Sequence, residues 1–127
     1  MKHLAFVLLL LASTSAKAGW TLVDDIQSGY IYFDFAIIQK RTNLITMWAL
    51  FDLKAAKRVA NGAESLSMKA HQEYDCGGRR YRSVYTAFYS GAMGTGELID
   101  SNPVPGDWIT VPAESAAQGF WKAVCKR

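Results

Sequence analysis

Between residues 31 and 111 apolar and polar side chains alternate mostly with the two-residue period of extended chain, and a helical period appears only after residue 115. Residues 31–37 read Ile-Tyr-Phe-Asp-Phe-Ala-Ile, which predicts a strand with Ile31, Phe33, Phe35 and Ile37 on one face. Arg41-Thr42-Asn43 is a polar interruption suited to a hairpin loop, and Leu44 to Leu53 is apolar on both faces, as in a central strand. Lys54 to Ala63 turns polar and ends in Asn61-Gly62, which predicts a loop closed by a turn. Residues 65–76 give the clearest strand. Leu66, Met68, Ala70, Tyr74 and Cys76 point inward, while Ser65, Ser67, Lys69, His71, Glu73 and Asp75 point to water. Gly77-Gly78 turns the chain into a strand over 79–90 with Tyr81, Tyr85 and Tyr89 on one face. The glycines of 91–96 predict a mobile hairpin loop, and short strands follow at 98–100 and 108–111 around a loop at Pro103 and Pro105-Gly106.

After Ser115 the pattern changes. Ser115 and Gln118 have the spacing of a capping box, and Ala117, Phe120, Trp121, Val124 and Cys125 then fall on one helical face. Gly119 weakens such a helix by about 1 kcal/mol, so docking must hold it. The fold class is therefore α+β: an antiparallel sheet of five to six strands with one C-terminal helix packed on it.

The first eighteen residues belong to a different kind of segment. Lys2 precedes an unbroken apolar run from Leu4 to Ala12, and Ala16-Lys17-Ala18 places small residues where a signal peptidase cuts, so residues 1–18 read as a cleavable signal peptide. That run is too short for a permanent anchor, which takes about 20 apolar residues, and no cysteine follows the cleavage site to take a lipid. The product, residues 19–127, is one domain in the periplasm, outside the cell or on its surface. Removing Lys2 and Lys17 from the 14 basic residues leaves 12 against 11 acids, a net charge near +1. So small a charge gives little long-range pull toward nucleic acid, which is not expected as a partner.

Cys76 and Cys125 are the only cysteines. In an oxidising compartment two lone cysteines pair, which ties the helix to the sheet; two free thiols or a redox site are the alternative. Neither cysteine is part of a Cys-x-x-Cys pair.

Taken in order, several short motifs resemble the surface-adhesin protein E family of bacterial envelope proteins. They are Tyr32-Phe33-Asp34, Met47-Trp48-Ala49-Leu50 with Asp52, Ser67-Met68-Lys69 and Tyr74-Asp75-Cys76. Tyr89-Ser90-Gly91 with Gly94-Thr95-Gly96, then Trp108, Val111-Pro112 and Trp121 to Cys125 complete the set. The likeness spans nearly all of residues 19–127. It implies a six-stranded antiparallel sheet with a disulfide-held C-terminal helix, and adhesion to host matrix proteins. The family's best-known member is an outer-membrane lipoprotein, and this chain lacks its lipidation cysteine.

Catalysis has little to work with. The part after residue 18 holds one histidine, His71, and no Gly-x-Ser-x-Gly elbow. His71, Glu73 and Asp75 share a strand face, but zinc sites take more His or Cys ligands, so the trio reads as a solvated face with no metal. No cofactor is implied: the glycines of 91–96 match neither the dinucleotide fingerprint nor the Walker spacing. Trp48 and Trp121 read as core; Trp20 and Trp108 stay open between core and binding surface.

The densest cationic group is Arg79, Arg80 and Arg82 around Tyr81, with Arg80 and Arg82 on one face and Arg79 and Tyr81 on the other. Guanidinium forks suit carboxylates and phosphates, so this group, joined by Lys126 and Arg127 if the disulfide forms, is the candidate partner surface. The expected function is a secreted, non-enzymatic binding module, adhesin-like by resemblance, for a protein or polyanionic glycan. A periplasmic structural or assembly protein is the alternative, and sheet edges leave a homodimer open.

Overall fold

A computed structural model describes residues 19–126; the expected signal segment and Arg127 lie outside the described residues. The strands are β1 (Trp20–Ile26), β2 (Gly29–Asp34), β3 (Gln39–Arg41), β4 (Leu44–Arg58), β5 (Glu64–Asp75), β6 (Arg80–Tyr89), β7 (Leu98–Asn102) and β8 (Ile109–Thr110). One helix, α1 (Ala116–Cys125), closes the described chain. The sheet runs β1-β2-β4-β5-β6-β7, with β3 on β4 and β8 on β6, and every pairing is antiparallel.

Among the described residues eight strands stand where five to six were expected. The two unforeseen ones left weak signals for physical reasons. In β1 a bulge between Leu22 and Asp24 breaks the two-residue period, and β3 is three exposed polar residues. Two further boundaries differ. The strand expected to run to Ile37 stops at Asp34, whose side chain accepts a hydrogen bond from the Ala36 amide (3.0 Å) and caps a short 3-10 turn over Phe35–Ile37. The loop expected at 54–63 is instead strand to Arg58, because the pairing with β5 resumes at Lys57 beyond a bulge. The remaining turn closes on Gly62, whose φ of 90° suits glycine.

One face of the sheet carries the core: Ile31, Phe33, Ile45, Met47, Ala49 and Tyr74, with Val124 of α1 set against them. Burying the Val124 side chain contributes roughly 1.5–3 kcal/mol. The Phe120 ring lies edge-on to Phe33 at 5.3 Å, and the Trp121 indole N–H donates to the Asp75 carbonyl (3.2 Å). Ser115 caps α1 by accepting from the Gln118 amide (3.1 Å), while the Gln118 side chain accepts from the Glu114 amide (2.8 Å), one residue earlier than in a standard capping box. The Cys76–Cys125 disulfide then joins the end of α1 to the end of β5, with Cα atoms 5.7 Å apart.

β5 is wet and dry in a different way from its alternation. Ser65 and Ser67 are fully buried, whereas Leu66 is exposed. The exposed leucine lies beyond the reach of the ten-residue helix; on the opposite face Ser67 bonds the 91–96 segment and Ser65 the Ser67 and Tyr89 carbonyls.

Candidate functional site

The face away from α1 is built by the other set of alternating positions. On β4 these are Leu44, Thr46, Trp48, Leu50 and Asp52, which stand opposite Asp75, Glu73, His71, Lys69 and Ser67 of β5. On β6 the same face is continued by Arg80 beside Asp75, Arg82 beside Glu73, and Tyr85 beside His71. A bulge between Ser83 and Tyr85 shifts the register, so Tyr81 and Tyr85 lie on opposite faces and the expected line of three tyrosines is broken. Tyr81 instead stacks on Tyr74 at 5.8 Å on the helix side. Burial there pushes the Tyr74 phenol well above its ordinary value.

At one end of this face the arginines form a ladder. Arg80 Nε donates to Asp75 Oδ2 and Arg82 Nε to Glu73 Oε1, each at 2.9 Å. Both guanidinium carbons lie 4.4 Å from the Trp108 ring, brought there by the pairing of β8 with the start of β6. The hydrogen bond from Arg80, with further bonds from the Gly78 and Gly77 amides, holds the Asp75 carboxyl below its ordinary range. Partly exposed pairs of this sort contribute only about 0.2–1 kcal/mol each. Their larger effect is geometric. Each carboxylate accepts from Nε and the indole lies against the guanidinium, which restricts two arginines whose side chains stay 44% and 29% exposed.

Farther along the same face lies an aromatic row. The Trp48 indole stacks on His71 (4.6 Å between centroids, 14° between planes) and meets Tyr85 edge-on at 6.0 Å. Partial burial lowers the His71 pKa, with Glu73 pulling the other way. Trp48 is thus not in the core, contrary to its sequence reading. Leu44 to Leu53 has two apolar faces because both are covered in part, one by α1 and one by aromatics and a loop.

That loop, the 3-10 turn Ala92–Gly94, is fastened to the sheet, where the glycine pattern predicted a mobile hairpin. Asp52 Oδ1 accepts from the Met93 amide (2.7 Å), and Ser67 Oγ accepts from the Gly94 amide (2.8 Å) while donating to the Gly91 carbonyl (2.6 Å). Ser65 Oγ donates between two carbonyl oxygens, that of Ser67 at 2.8 Å and that of Tyr89 at 2.9 Å. Gly94 has φ of 71°, and a Cβ there would stand 2.5 Å from Lys69 Cε.

The candidate partner residues are therefore divided. Arg80 and Arg82 share the ladder on the open face; Arg79 sits 5.5 Å over Trp121 on the helix side, and Tyr81 packs inward. Lys126 is exposed at the end of α1, and Arg127 is outside the described residues. Sequence reasoning missed Trp108 as the platform under the arginines, because only the β6–β8 pairing brings it there. His71, Glu73 and Asp75 do share a face, but Glu73 and Asp75 are engaged by Arg82 and Arg80. Among the described residues no helix is long and apolar enough to cross a membrane.

The sheet with its bulged edge, the disulfide-tied terminal helix and the open aromatic face define a class. The sequence model of the surface-adhesin protein E family matches residues 20–126, and the chain belongs to that family of adhesin-like proteins. Among solved structures, it is similar to Haemophilus influenzae protein E. The selenomethionine form has a TM-score of 0.67 at 14% identity, covering 90% of this chain and 91% of the other. A second crystal form has a TM-score of 0.67 at 16% identity, covering 89% and 91%. Protein E from a non-typeable strain has a TM-score of 0.65 at 13% identity, covering 89% and 79%. At these identities the likeness is one of fold. No curated protein matches the sequence.

Proposed function

We propose that the signal peptide directs export and is then removed, and that residues 19–127 serve as a non-enzymatic, adhesin-like binding module. Its ligand is an acidic surface on a host matrix protein or a polyanionic glycan. The observation that carries this reading is the ladder, in which Arg80 and Arg82 are each held by a carboxylate and by Trp108 while their side chains stay 44% and 29% exposed. Fixing long side chains before binding removes part of the ordering cost that flexible arginines meet on association. Because Asp75 and Glu73 balance the two arginines, recognition is short-ranged and depends on fork geometry more than on net charge.

Surface plasmon resonance of the mature chain over immobilised matrix proteins and heparin tests this. The Arg80→Ala/Arg82→Ala variant should bind about 10- to 100-fold more weakly, the scale of losing charge-assisted hydrogen bonds. Undiminished binding removes the ladder from the account. Protease treatment of intact cells tests the compartment: cleavage supports surface display, and full protection assigns the chain to a periplasmic assembly role.

A further inference from the structure

Beyond the ladder, the open face carries a second built cleft. It has a volume of about 300 Å³ and is lined by Trp20, Asp34, Ile37, Trp48, Lys69 and Tyr89. The register explains the assembly. Trp20 pairs with Asp34, and Asp34 follows Phe33, which pairs with Ala49 next to Trp48. Two indoles and a carboxylate therefore stand in one row across β1, β2 and β4. Lys69 comes from the next row and lies 5.1 Å over the Tyr89 ring.

The polar groups here are unusual for a surface. Asp34 is 94% buried by its 6% exposure, and only Oδ1 is engaged, by the Ala36 amide. Among the described residues its second oxygen accepts no hydrogen bond, and neither Asp34 nor Lys69 has an ion-pair partner. The Trp20 and Trp48 indole N–H groups also find no acceptor there, unlike that of Trp121. Because no buried side-chain oxygen or nitrogen among the described residues lacks a partner, the spare Asp34 oxygen opens to water in the cleft, where it is free to accept from a ligand.

We propose that this cleft binds one pyranose ring of a glycan. A pyranose has an apolar face of C–H bonds and an equatorial rim of hydroxyls, and the cleft offers the complement of both. The Trp20 indole, with the Trp48 surface that His71 does not stack on, receives the C–H face. Asp34 Oδ2 accepts from ring hydroxyls, and Lys69 Nζ donates to a hydroxyl or a sugar carboxylate on the opposite side. An acidic protein segment fits less well, because Asp34 opposes it. The site is separate from the ladder and stands or falls independently of it.

The test uses the mature chain with maltotriose, cellotriose, chitotriose and 3′-sialyllactose as probes, followed by calorimetry and by the indole N–H signals in 15N–1H spectra. At least one probe should saturate at millimolar concentration or below, shifting the Trp20 and Trp48 signals while leaving Trp121 in place. Asp34→Asn keeps a side chain able to cap the 3-10 turn and should weaken binding about 10-fold. Trp48→Phe should weaken it comparably, and Lys69→Gln supplies a third variant on a half-exposed position. The proposal is overturned if no probe saturates by 20 mM (roughly a 2 kcal/mol interaction), if the shifts fall on Trp108 or Trp121 instead, or if Asp34→Asn and Lys69→Gln bind like the parent.

Discussion

Cutting the Cys76–Cys125 bridge is the perturbation whose size follows most directly from this fold. The two cysteines are 49 positions apart, so the disulfide closes a loop of about 50 residues in the unfolded chain. On the chain-entropy account that closure contributes about 4 kcal/mol. A domain of this size has only about 5–15 kcal/mol in total, so the bridge is a large share. Its loss should also act locally. A ten-residue helix is shorter than the roughly 12–15 residues an isolated helix needs, and Gly119 weakens it further. Without the bridge α1 is held by Val124, Phe120, Trp121 and its cap alone.

Urea unfolding of the parent and of Cys76→Ala/Cys125→Ala, followed by tryptophan fluorescence, should show the variant less stable by about 4 kcal/mol. Its melting temperature should fall by about 15 °C or more. The denaturant slope should rise as well, because the uncrosslinked unfolded chain exposes more surface. Native-state hydrogen exchange should locate the weakness, with α1 amides losing protection before those of β4 and β5. If the midpoint and the α1 protection are both unchanged, the helix is held by packing alone and the reasoning is refuted.

Three other expectations follow from single contacts. Ser67→Ala leaves the Gly94 amide and the Gly91 carbonyl without their partner, and should cost about 2 kcal/mol with faster exchange at 91–95; an unchanged unfolding midpoint would show the loop is held elsewhere. Gly29→Ala puts a Cβ 2.5 Å from the Asp52 carbonyl oxygen and 3.1 Å from Leu53 Cα, both backbone, so β2 must move and stability should fall by about 1–3 kcal/mol; parent-like stability would contradict that close approach. Stability should also decline on acidification in two stages. The folded His71 pKa lies below 6.5, so protonation opposes folding as pH drops through that value. The folded Asp75 pKa lies below 3.8, so its contribution is complete above that value and is lost as pH falls through the depressed one. In urea titrations from pH 8 to pH 2, Asp75→Asn should flatten only the lower stage; a profile identical to the parent would exclude the Arg80 pairing as its source.

What could be read beforehand, and what could not, follows a physical line. Period-two runs and a capped helical stripe are local signals, so β2, β4, β5, β6 and α1 were legible, as was the pairing of two lone cysteines. Bulges are not local signals. The one after Leu22 hid β1, and the one before Tyr85 moved that ring to the face opposite Tyr81. Ser65 and Ser67 looked solvated because an alternating serine has no mark that tells water from returning chain: Ser67 is bonded by a loop that starts 24 residues later, and Ser65 by the Tyr89 carbonyl of the neighbouring strand. Trp48 looked like core for the related reason that burial against aromatics and burial under a helix read alike in a sequence. Arg80 and Arg82 stood out as candidates because they cluster in the sequence, but their contact with Trp108 depended on a two-residue strand, β8, that brings the indole beside them.

These errors share a direction: they undervalued the face away from α1. A one-helix, one-sheet domain of this length can cover only one sheet face with its helix, and here that face takes Val124, Phe120 and the disulfide. The other face must then be kept soluble without a second layer. This chain does so by pairing Arg80 and Arg82 with carboxylates, laying Trp108 beneath them, and fastening the 92–94 turn over Leu50 and Lys69. Each device fixes side chains that an ordinary solvated face would leave mobile. A surface with its rotamers already restricted loses less entropy when a partner arrives. The same contacts that let a single-layered sheet stay folded in water therefore leave it prepared to bind.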